Sequence, residues 1–240
     1  ESNNSIGIAG IAWGAKIMPI RVLGVGGGTS YDILQGLKYA AGLANDSGLL
    51  PDKPADIINM SLGGENYDPA MQDVVSQIAN NGSGTTLMVA AAGNSSSASP
   101  FYPAAFADVI SVSAVGANNL LSPYSNYGST IDITAPGGDM GNDLNGDGQA
   151  DGILSSLVEV SASTRLSDYG YYQGTSMAAP HISGVLALMK SVHPEMTHTE
   201  FQQLLQSGKI TQDLGLQGRD NSYGYGIIKA LHAVYEARAL

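Results

Sequence analysis

The chain has 240 residues, 43% of them hydrophobic and 13% charged, which is enough for one large α/β domain with a well-buried core. Its net charge of −11 and isoelectric point near 4.5 make nucleic acid and anionic membranes poor partners, and no apolar run approaches the length of a membrane span. Cysteine is absent, so disulfides give no information on the redox compartment. We find no repeats and no linker, so residues 1–240 are predicted to form a single domain.

The first part of the chain is predicted to be a loop followed by a strand. Residues 1–15 combine Asn and Gly with alternating apolar residues, which indicates a loop packed against the domain. Neither a Met nor a signal peptide is found at the start, which indicates an internal or processed terminus. Residues 16–23 are apolar and β-rich, which predicts a buried parallel strand, and the glycines of 24–28 end it.

Helices and strands then alternate. Helices are predicted after a cap at Ser30, over residues 69–81, after the capping box of Thr197 and Glu200, and at the carboxyl end. Strands are predicted over residues 55–62, 85–91, 109–115 and 131–134, with a long loop region after the last of them. This alternation predicts an α/β fold of three layers, a doubly wound and mostly parallel sheet with helices on both faces.

One segment of the later half indicates chemistry. Residues 174–181 read Gly-Thr-Ser-Met-Ala-Ala-Pro-His and run into apolar residues at helical spacing, namely Ile182, Val185, Leu186 and Met189. A helix is therefore predicted to begin near Ser176, with Pro180 early enough to be tolerated. Free N–H groups and the helix dipole would favour negative charge beside the Ser176 hydroxyl. The alternative is a serine that only caps the helix.

This segment, with Gly184 and Val185 after it, closely resembles the nucleophile segment of subtilisin-like serine proteases. The resemblance runs from residue 1 to the terminus and implies a subtilisin-like fold with Ser176 as the nucleophile. It implies a serine endopeptidase that hydrolyses extended polypeptides through an acyl-enzyme. It also implies a secreted, extracellular enzyme that is stabilised by Ca²⁺ and is made as a zymogen with its own propeptide as a partner.

Asn94 follows a predicted strand in the sequence Ala-Ala-Gly-Asn. Acyl transfer creates an oxyanion, which a preorganised amide donor stabilises. The resemblance makes Asn94 that donor, with the backbone N–H of Ser176 as the second. The alternative is an Asn that only serves a turn after the strand.

Other strand ends resemble the substrate-binding elements of the same family. Two segments would sandwich an extended substrate as an added strand, one formed by Ser61, Leu62 and Gly63 and the other by Gly27, Gly28 and Thr29. The pocket for the residue before the scissile bond would have Ala91, Ala92 and Gly93 as one wall, Phe101 as a shallow floor, and Thr175 beside the nucleophile. Taken alone, Gly27 and Gly28 fit an ordinary strand-end turn equally well.

The general base is the difficulty. A nucleophilic serine needs a base, usually a His that a carboxylate orients. All four His of the chain, His181, His193, His198 and His232, come after Ser176, whereas the family order is Asp, His, Ser. The opening residues resemble the segment directly after the catalytic His in the family. We therefore expect Asp and His to lie upstream of Glu1, so that the 240-residue chain alone is inactive.

Two rival functions remain at this point. One is a catalytically inactive, peptide-binding subtilisin-like module, in which the groove survives without the base. The other is a different serine hydrolase such as a lipase, but Ser176 lacks the Gly-x-Ser-x-Gly frame that those enzymes favour.

Residues 139–152 are predicted to form an inserted calcium-binding loop. Oxygen side chains at Asp143, Asn145, Asp147 and Asp151, with Gly148 at the sixth place and the carbonyl of Gln149, match the front of an EF-hand-type loop. The twelfth place is Leu154 instead of Glu, so a free-standing loop is expected. The alternative is a solvated acidic loop.

The resemblance implies a second calcium site near the start of the chain. It would use the side chain of Asn4 and the carbonyls of Ile6 and Ile8, with further ligands from upstream of Glu1. A plain surface turn is the alternative.

Overall fold

The computed structural model of the chain describes residues 4–81, 84–160 and 165–240. The helices are α1 Ser30–Ala40, α2 Pro69–Ala79, α3 Thr175–Val192, α4 His198–Gln206 and α5 Ala230–Arg238. The strands are β1 Ile57–Met60, β2 Leu87–Ala91, β3 Val109–Val115, β4 Ile133–Pro136, β5 Ile153–Val160, β6 Arg165–Tyr172, β7 Thr211–Gln212 and β8 Ile227–Ile228. No helix in the described part of the chain is both long and apolar enough to span a bilayer.

The main sheet has six strands in the order β1-β2-β3-β4-β8-β7. Neighbouring strands are parallel except for β7, which runs antiparallel to β8. Every residue of β2 and β3 is buried, as expected for central parallel strands that are covered on both faces.

The two faces of the sheet pack against different helices. Leu87, Val89 and Ala91 of β2 belong to the core formed with α3, α4 and α5, whereas Met88 and Ala90 belong to the core formed with α1 and α2. Successive residues of a strand point to opposite faces, so one strand supplies both cores. The predicted three-layer α/β fold is confirmed.

The predicted strand over residues 16–23 is wrong. No strand is found there, and the Ile17 side chain is 83% exposed. Ile20 and Val22 lie instead against α1, where a methyl group placed at Gly36 would be 2.4 Å from Val22 Cγ1 and 3.2 Å from Ile20 Cγ2. An apolar run becomes a strand only where a neighbouring strand accepts its hydrogen bonds, and no described strand pairs with this one.

A hairpin occupies most of the predicted loop region before the nucleophile helix. Strands β5 and β6 pair antiparallel over eight residues each, from Ile153 opposite Tyr172 to Val160 opposite Arg165. Many of the described side chains on both faces are exposed, so the hairpin shows no clear apolar face in the sequence. It ends two residues before α3 and so leads directly into the nucleophile segment.

Candidate active site

The first residues of α3 lie at the carboxyl ends of β1 and β2. Met60 of β1 is in register with Ala90 of β2, so the residues after the two strands leave the sheet side by side. Ser61 comes directly after β1, and Gly93 and Asn94 come after β2. Ligand and active sites of open α/β sheets gather at this edge.

Ser176 is the second residue of α3 and faces the end of β1. Its Oγ donates a hydrogen bond to the Ser61 carbonyl oxygen at 3.4 Å, and Ser61 Oγ donates to the Ser176 carbonyl oxygen at 2.8 Å. Pro180 explains why the Ser176 carbonyl has no helical partner, because a residue other than proline at position 180 would donate its N–H to it. The sequence suggested that Pro180 lies early enough in the helix to be tolerated, but it lies beyond the first turn. It is tolerated because Ser61 supplies the missing donor.

Asn94 contacts the same end of α3 from the other side. Its Oδ1 accepts from the Thr175 N–H at 2.8 Å and from Thr175 Oγ1 at 2.9 Å, which fixes the amide plane. A methyl group placed at Gly174 would lie 3.4 Å from Asn94 Nδ2 and 3.6 Å from the Ser176 nitrogen. Two N–H donors from different elements therefore border one small space beside Ser176. The Ser176 N–H has no acceptor among the described residues.

Thr175 supports Asn94 and has no surface to offer a substrate. Its side chain is fully buried, and its Oγ1 also accepts from the Gly93 N–H at 3.1 Å. The hydroxyl thus links the loop after β2 to the start of α3. This differs from the expected contact between Thr175 and substrate.

Phe101 fills the gap between the two strand-end loops. A methyl group placed at Gly63 would lie 2.4 Å from Phe101 Cε1, and one placed at Gly93 would lie 3.0 Å from Phe101 Cγ. Reciprocal hydrogen bonds between Gly64 and Tyr102, of 2.8 and 2.7 Å, hold the ring in this position. The ring is half-buried, and its role as the floor of a substrate pocket stays a prediction.

The side chains of Ala91 and Ala92 offer almost no surface beside Phe101. They are 2% and 3% exposed and belong to the core. The main chain of Ala92 is also engaged, since its N–H donates to Val112 at 3.1 Å and its carbonyl accepts from Asn126 Nδ2 at 2.9 Å. Other expected substrate-binding residues are better placed. Gly63 and Gly93 lie beside Phe101, Ser61 lies beside Ser176, and Leu62 between them is half-buried.

The other expected substrate segment has a structural role in this fold. Gly24 and Gly27 close a tight turn, with the Gly24 N–H to Gly27 carbonyl distance at 2.7 Å. Thr29, and not Ser30, caps α1 in a capping box with Asp32, and hydrogen bonds from the Thr29 hydroxyl and N–H lower the pKa of Asp32. Substrate binding by Gly27, Gly28 and Thr29 stays a prediction.

None of the four His contacts Ser176 in the described chain. His181 Nδ1 lies 2.8 Å from the Met177 carbonyl oxygen, His193 Nε2 lies 3.6 Å from a Glu200 carboxylate oxygen, and His198 contacts Gln202. His232 is on the exposed side of α5. The described residues therefore supply a hydroxyl and two donors, without a base.

Two supporting residues escaped the sequence analysis. Tyr124 accepts from the Gly174 N–H at 3.0 Å, and its hydroxyl lies 2.8 and 2.7 Å from the carbonyls of Gly137 and Gly138. Burial raises the pKa of Tyr124. Asn126 is buried under the loop that carries Asn94. Both lie in a polar stretch between β3 and β4, where local sequence indicates only turns.

The acidic loop is held together by its own backbone. Asp143 carboxylate oxygens accept from the N–H groups of residues 146, 147 and 148, at 2.8, 3.2 and 3.0 Å, and Asp151 accepts from Leu144 at 2.8 Å. Asn145 Nδ2 donates to Asp147, which in turn accepts from the Gln149 N–H. Within the described ranges, no three His, Cys, Asp or Glu side chains gather around a metal position. Calcium binding here stays a prediction.

The second expected calcium site also stays a prediction. The Asn4 side-chain oxygen accepts from the Ile6 N–H at 3.1 Å and so closes a local turn. Ile6 and Ile8 are exposed apolar residues on the surface beside that turn.

Comparison with known proteins identifies relatives along almost the whole chain. The profile of the Subtilase family matches residues 1–226. "Extracellular protease" of Xanthomonas campestris pv. campestris is 39% identical over 239 residues, which are 98% of this chain and 38% of that protein. "Subtilisin Savinase" of Lederbergia lenta is 31% identical over 229 residues, which are 95% of this chain and 71% of that protein.

A solved structure has the same architecture. A protease from Pseudoalteromonas arctica PAMC 21717 superposes with a TM-score of 0.86 at 38% identity, covering 98% of this chain and 67% of that one. The chain spans well under half the length of the Xanthomonas relative. Family profile, relatives and fold agree, and we conclude that the chain belongs to the subtilase family of serine proteases.

Proposed function

We propose that this chain is the part of a serine endopeptidase that carries the nucleophile and the oxyanion hole. Ser176 Oγ gives its proton to the base and attacks the carbonyl carbon of a peptide bond, and the carbonyl oxygen becomes an oxyanion. Asn94 Nδ2 and the Ser176 N–H stabilise this oxyanion. The amine leaves with a proton from the base, an acyl-enzyme remains on Ser176, and water releases the acid.

One observation supports this function above all others. The two N–H donors come from a strand-end loop and a helix start, yet both border the space next to Gly174 and Ser176. Donors that are already fixed by Thr175 need no reorganisation when charge develops. A serine that only capped the helix would not need this second donor.

We further propose that a His base and its Asp partner come from sequence outside residues 1–240. Support comes from the surface of the amino-terminal part, where large apolar side chains are exposed at Ile6, Ile8, Ile11, Trp13, Ile17, Met18, Leu23 and Val25. Exposed apolar surface of this extent is typical of an interface. A segment that covers it would lie close to α3, the helix that carries Ser176, because Ile11 packs against Gly184 of that helix.

The proposed substrate is an extended polypeptide that lies along residues 61–63. Main-chain pairing at a strand end gives affinity with little demand on sequence. Phe101 beside Gly63 and Gly93 favours a small or flat side chain before the scissile bond. Because two relatives are named extracellular proteases, we propose that the whole protein is secreted. We also propose that it is made with a propeptide that binds its own protease domain.

An active-site probe tests the function on the full-length protein. A fluorophosphonate is expected to label the wild type at Ser176 and to abolish its peptide hydrolysis. The Ser176→Ala variant is expected to show neither labelling nor hydrolysis. Ser191→Ala is the matched control, since this exposed serine is on the same helix and should leave labelling unchanged. Peptide binding without labelling would favour the inactive module instead.

A further inference from the structure

Asn126 is a buried amide in the loop between β3 and β4, with only 3% of its surface exposed. Its Nδ2 donates to the Ala92 carbonyl at 2.9 Å, and its Oδ1 accepts from the N–H groups of Ser95 at 2.9 Å and Ser97 at 3.2 Å. Its own N–H donates to the Gly93 carbonyl at 2.9 Å. One residue therefore binds the main chain on both sides of Asn94.

The main chain of Asn94 has no hydrogen bond of its own among the described residues. Its side chain is held at one end only, through Oδ1 and Thr175. The position of its Cα, and thus the direction of Nδ2, depends on the neighbours that Asn126 holds.

The Asn126 side chain packs so closely against Gly93 that no larger residue fits at position 93 without displacing it. Gly93 has a φ of +103°, and a methyl group placed there would lie 2.3 Å from Asn126 Nδ2. The same methyl group would lie 3.0 Å from Phe101 Cγ. The loop that carries Asn94 thus contacts both the Phe101 ring and the Asn126 amide at Gly93.

We propose that Asn126 is a positioning residue for the oxyanion hole, which it serves by fixing the loop that aims Asn94 Nδ2 at the space beside Ser176. This inference rests on the proposed function. An amide fits the task because it offers a donor for Ala92 and an oxygen that accepts twice. An aspartate keeps the acceptor but sets a carboxylate oxygen against the Ala92 carbonyl.

The test is kinetic and uses the full-length protein. We expect Asn126→Asp to lower kcat for a peptide substrate roughly 10- to 100-fold, since small displacements of catalytic groups have effects of this size. KM should change by less than about twofold, because residues 61–63 are untouched. Thr134→Val is the control, because it removes another buried hydrogen bond, from Thr134 Oγ1 to the Ser113 carbonyl. This variant should lose stability but keep the wild-type kcat.

A double-mutant cycle separates positioning from general destabilisation. In subtilisin, loss of one oxyanion-hole donor lowers turnover by about 10²–10³, and the same scale is expected for Asn94→Ala. Adding Asn126→Asp to Asn94→Ala should then lower kcat by no more than about twofold, because the group that Asn126 positions is gone. A loss equal to the product of the two single effects would overturn the proposal, as would an unchanged kcat in folded Asn126→Asp.

A milder variant, Asn126→Ser, covers the case in which Asn126→Asp does not fold. If neither variant folds while Thr134→Val does, the role is structural and the proposal fails. If fluorophosphonate labels wild-type Ser176 but folded Asn126→Asp has the same kcat as the wild type, only this inference fails. If the wild type is not labelled at all, the proposed function fails as well.

Discussion

The core around α3 and the segment of residues 4–29 are both rich in apolar side chains, yet they differ completely in burial. Ile182 and Leu186 of α3 are fully buried between the sheet and α4 and α5, whereas Ile17 is 83% exposed. The difference lies in the partners. The residues of α3 meet a sheet. The amino-terminal segment touches single elements from outside, as Ile11 does at Gly184 of α3 and Val22 does at Gly36 of α1.

This contrast shows where the function is already built. Ser176 is part of α3, and Asn94 is hydrogen-bonded to Thr175 of the same helix, so the hydroxyl and both proposed oxyanion donors belong to the buried region. The part that we expect from elsewhere, the base, would have to be held against the exposed region. Variants and conditions that act on only one of the two regions can test this division.

The largest expected effect is on activity. The isolated 240-residue chain should show no peptide hydrolysis, because the described residues offer Ser176 no base, whereas the full-length protein should be active. Hydrolysis of a labelled peptide by the two proteins, at equal folded concentration, is the measurement. Turnover by the isolated chain that is lost in Ser176→Ala would contradict the proposed division of the site.

Gly93→Ala should damage the buried side of the site. The new Cβ would collide with Asn126 Nδ2 at 2.3 Å in addition to the strain of a positive φ. We expect kcat of the full-length protein to fall roughly 10- to 100-fold. Gly48→Ala is the control, because Gly48 also has a positive φ but nothing within 4 Å of the added group. Equal kcat in both variants would show that the close contact between Gly93 and Asn126 does not position the loop that carries Asn94.

Core truncation should separate the two regions by stability. Ile182→Ala is expected to cost about 2–5 kcal/mol, because it opens a cavity under the sheet. Ile17→Ala, the same change at an exposed position, should stay within about 0.5 kcal/mol in the isolated chain. Urea unfolding of both variants gives the comparison. A large loss for Ile17→Ala in the full-length protein alone would locate the covered surface.

Calcium should stabilise the acidic loop by a smaller amount. If residues 143–151 bind Ca²⁺, a hundredfold excess over Kd adds about 2.7 kcal/mol to the free energy of unfolding. The melting temperature should fall with chelator in the wild type and respond less in Asp143→Asn. Asp213→Asn, in another exposed loop where Asp213 accepts from the Gly218 N–H, is the control. An unchanged melting temperature with excess chelator removes the assignment.

The smallest effect concerns a cation inside the buried region. Lys190 is 7% exposed, and its Nζ donates to the carbonyls of Thr85 and Met196 at 2.7 and 3.1 Å. Burial lowers the pKa of Lys190, so between the lowered and the ordinary value the unfolded chain binds more protons. Stability should therefore rise with pH in that window and be lost as pH falls through it.

Replacing this cation checks the sign. Lys190→Met should show a flatter rise of the unfolding free energy between neutral and alkaline pH than the wild type. Lys209→Met, which removes an exposed cation paired with Glu236 at 3.0 Å, should keep the wild-type slope. An identical slope in all three proteins would show that burial of Lys190 has no such effect.

Much of the fold could be predicted from the sequence alone. Helical spacing located α3 and its start near Ser176, and the apolar runs over residues 85–91 and 109–115 located β2 and β3. These features are local, because periodicity and short motifs act over a few turns or one strand. Asn94 and Ser176 could be paired in advance only through the family resemblance.

Only the tertiary structure decided which distant residues meet. Ser61 replaces the donor that Pro180 lacks from a position 115 residues away from Ser176, and Asn126 binds Ala92 across 34 residues. Residues 16–23 have strand composition but no strand, because composition cannot supply a neighbouring strand to pair with. A sequence pattern specifies which groups must be satisfied, and the folded chain determines which groups satisfy them.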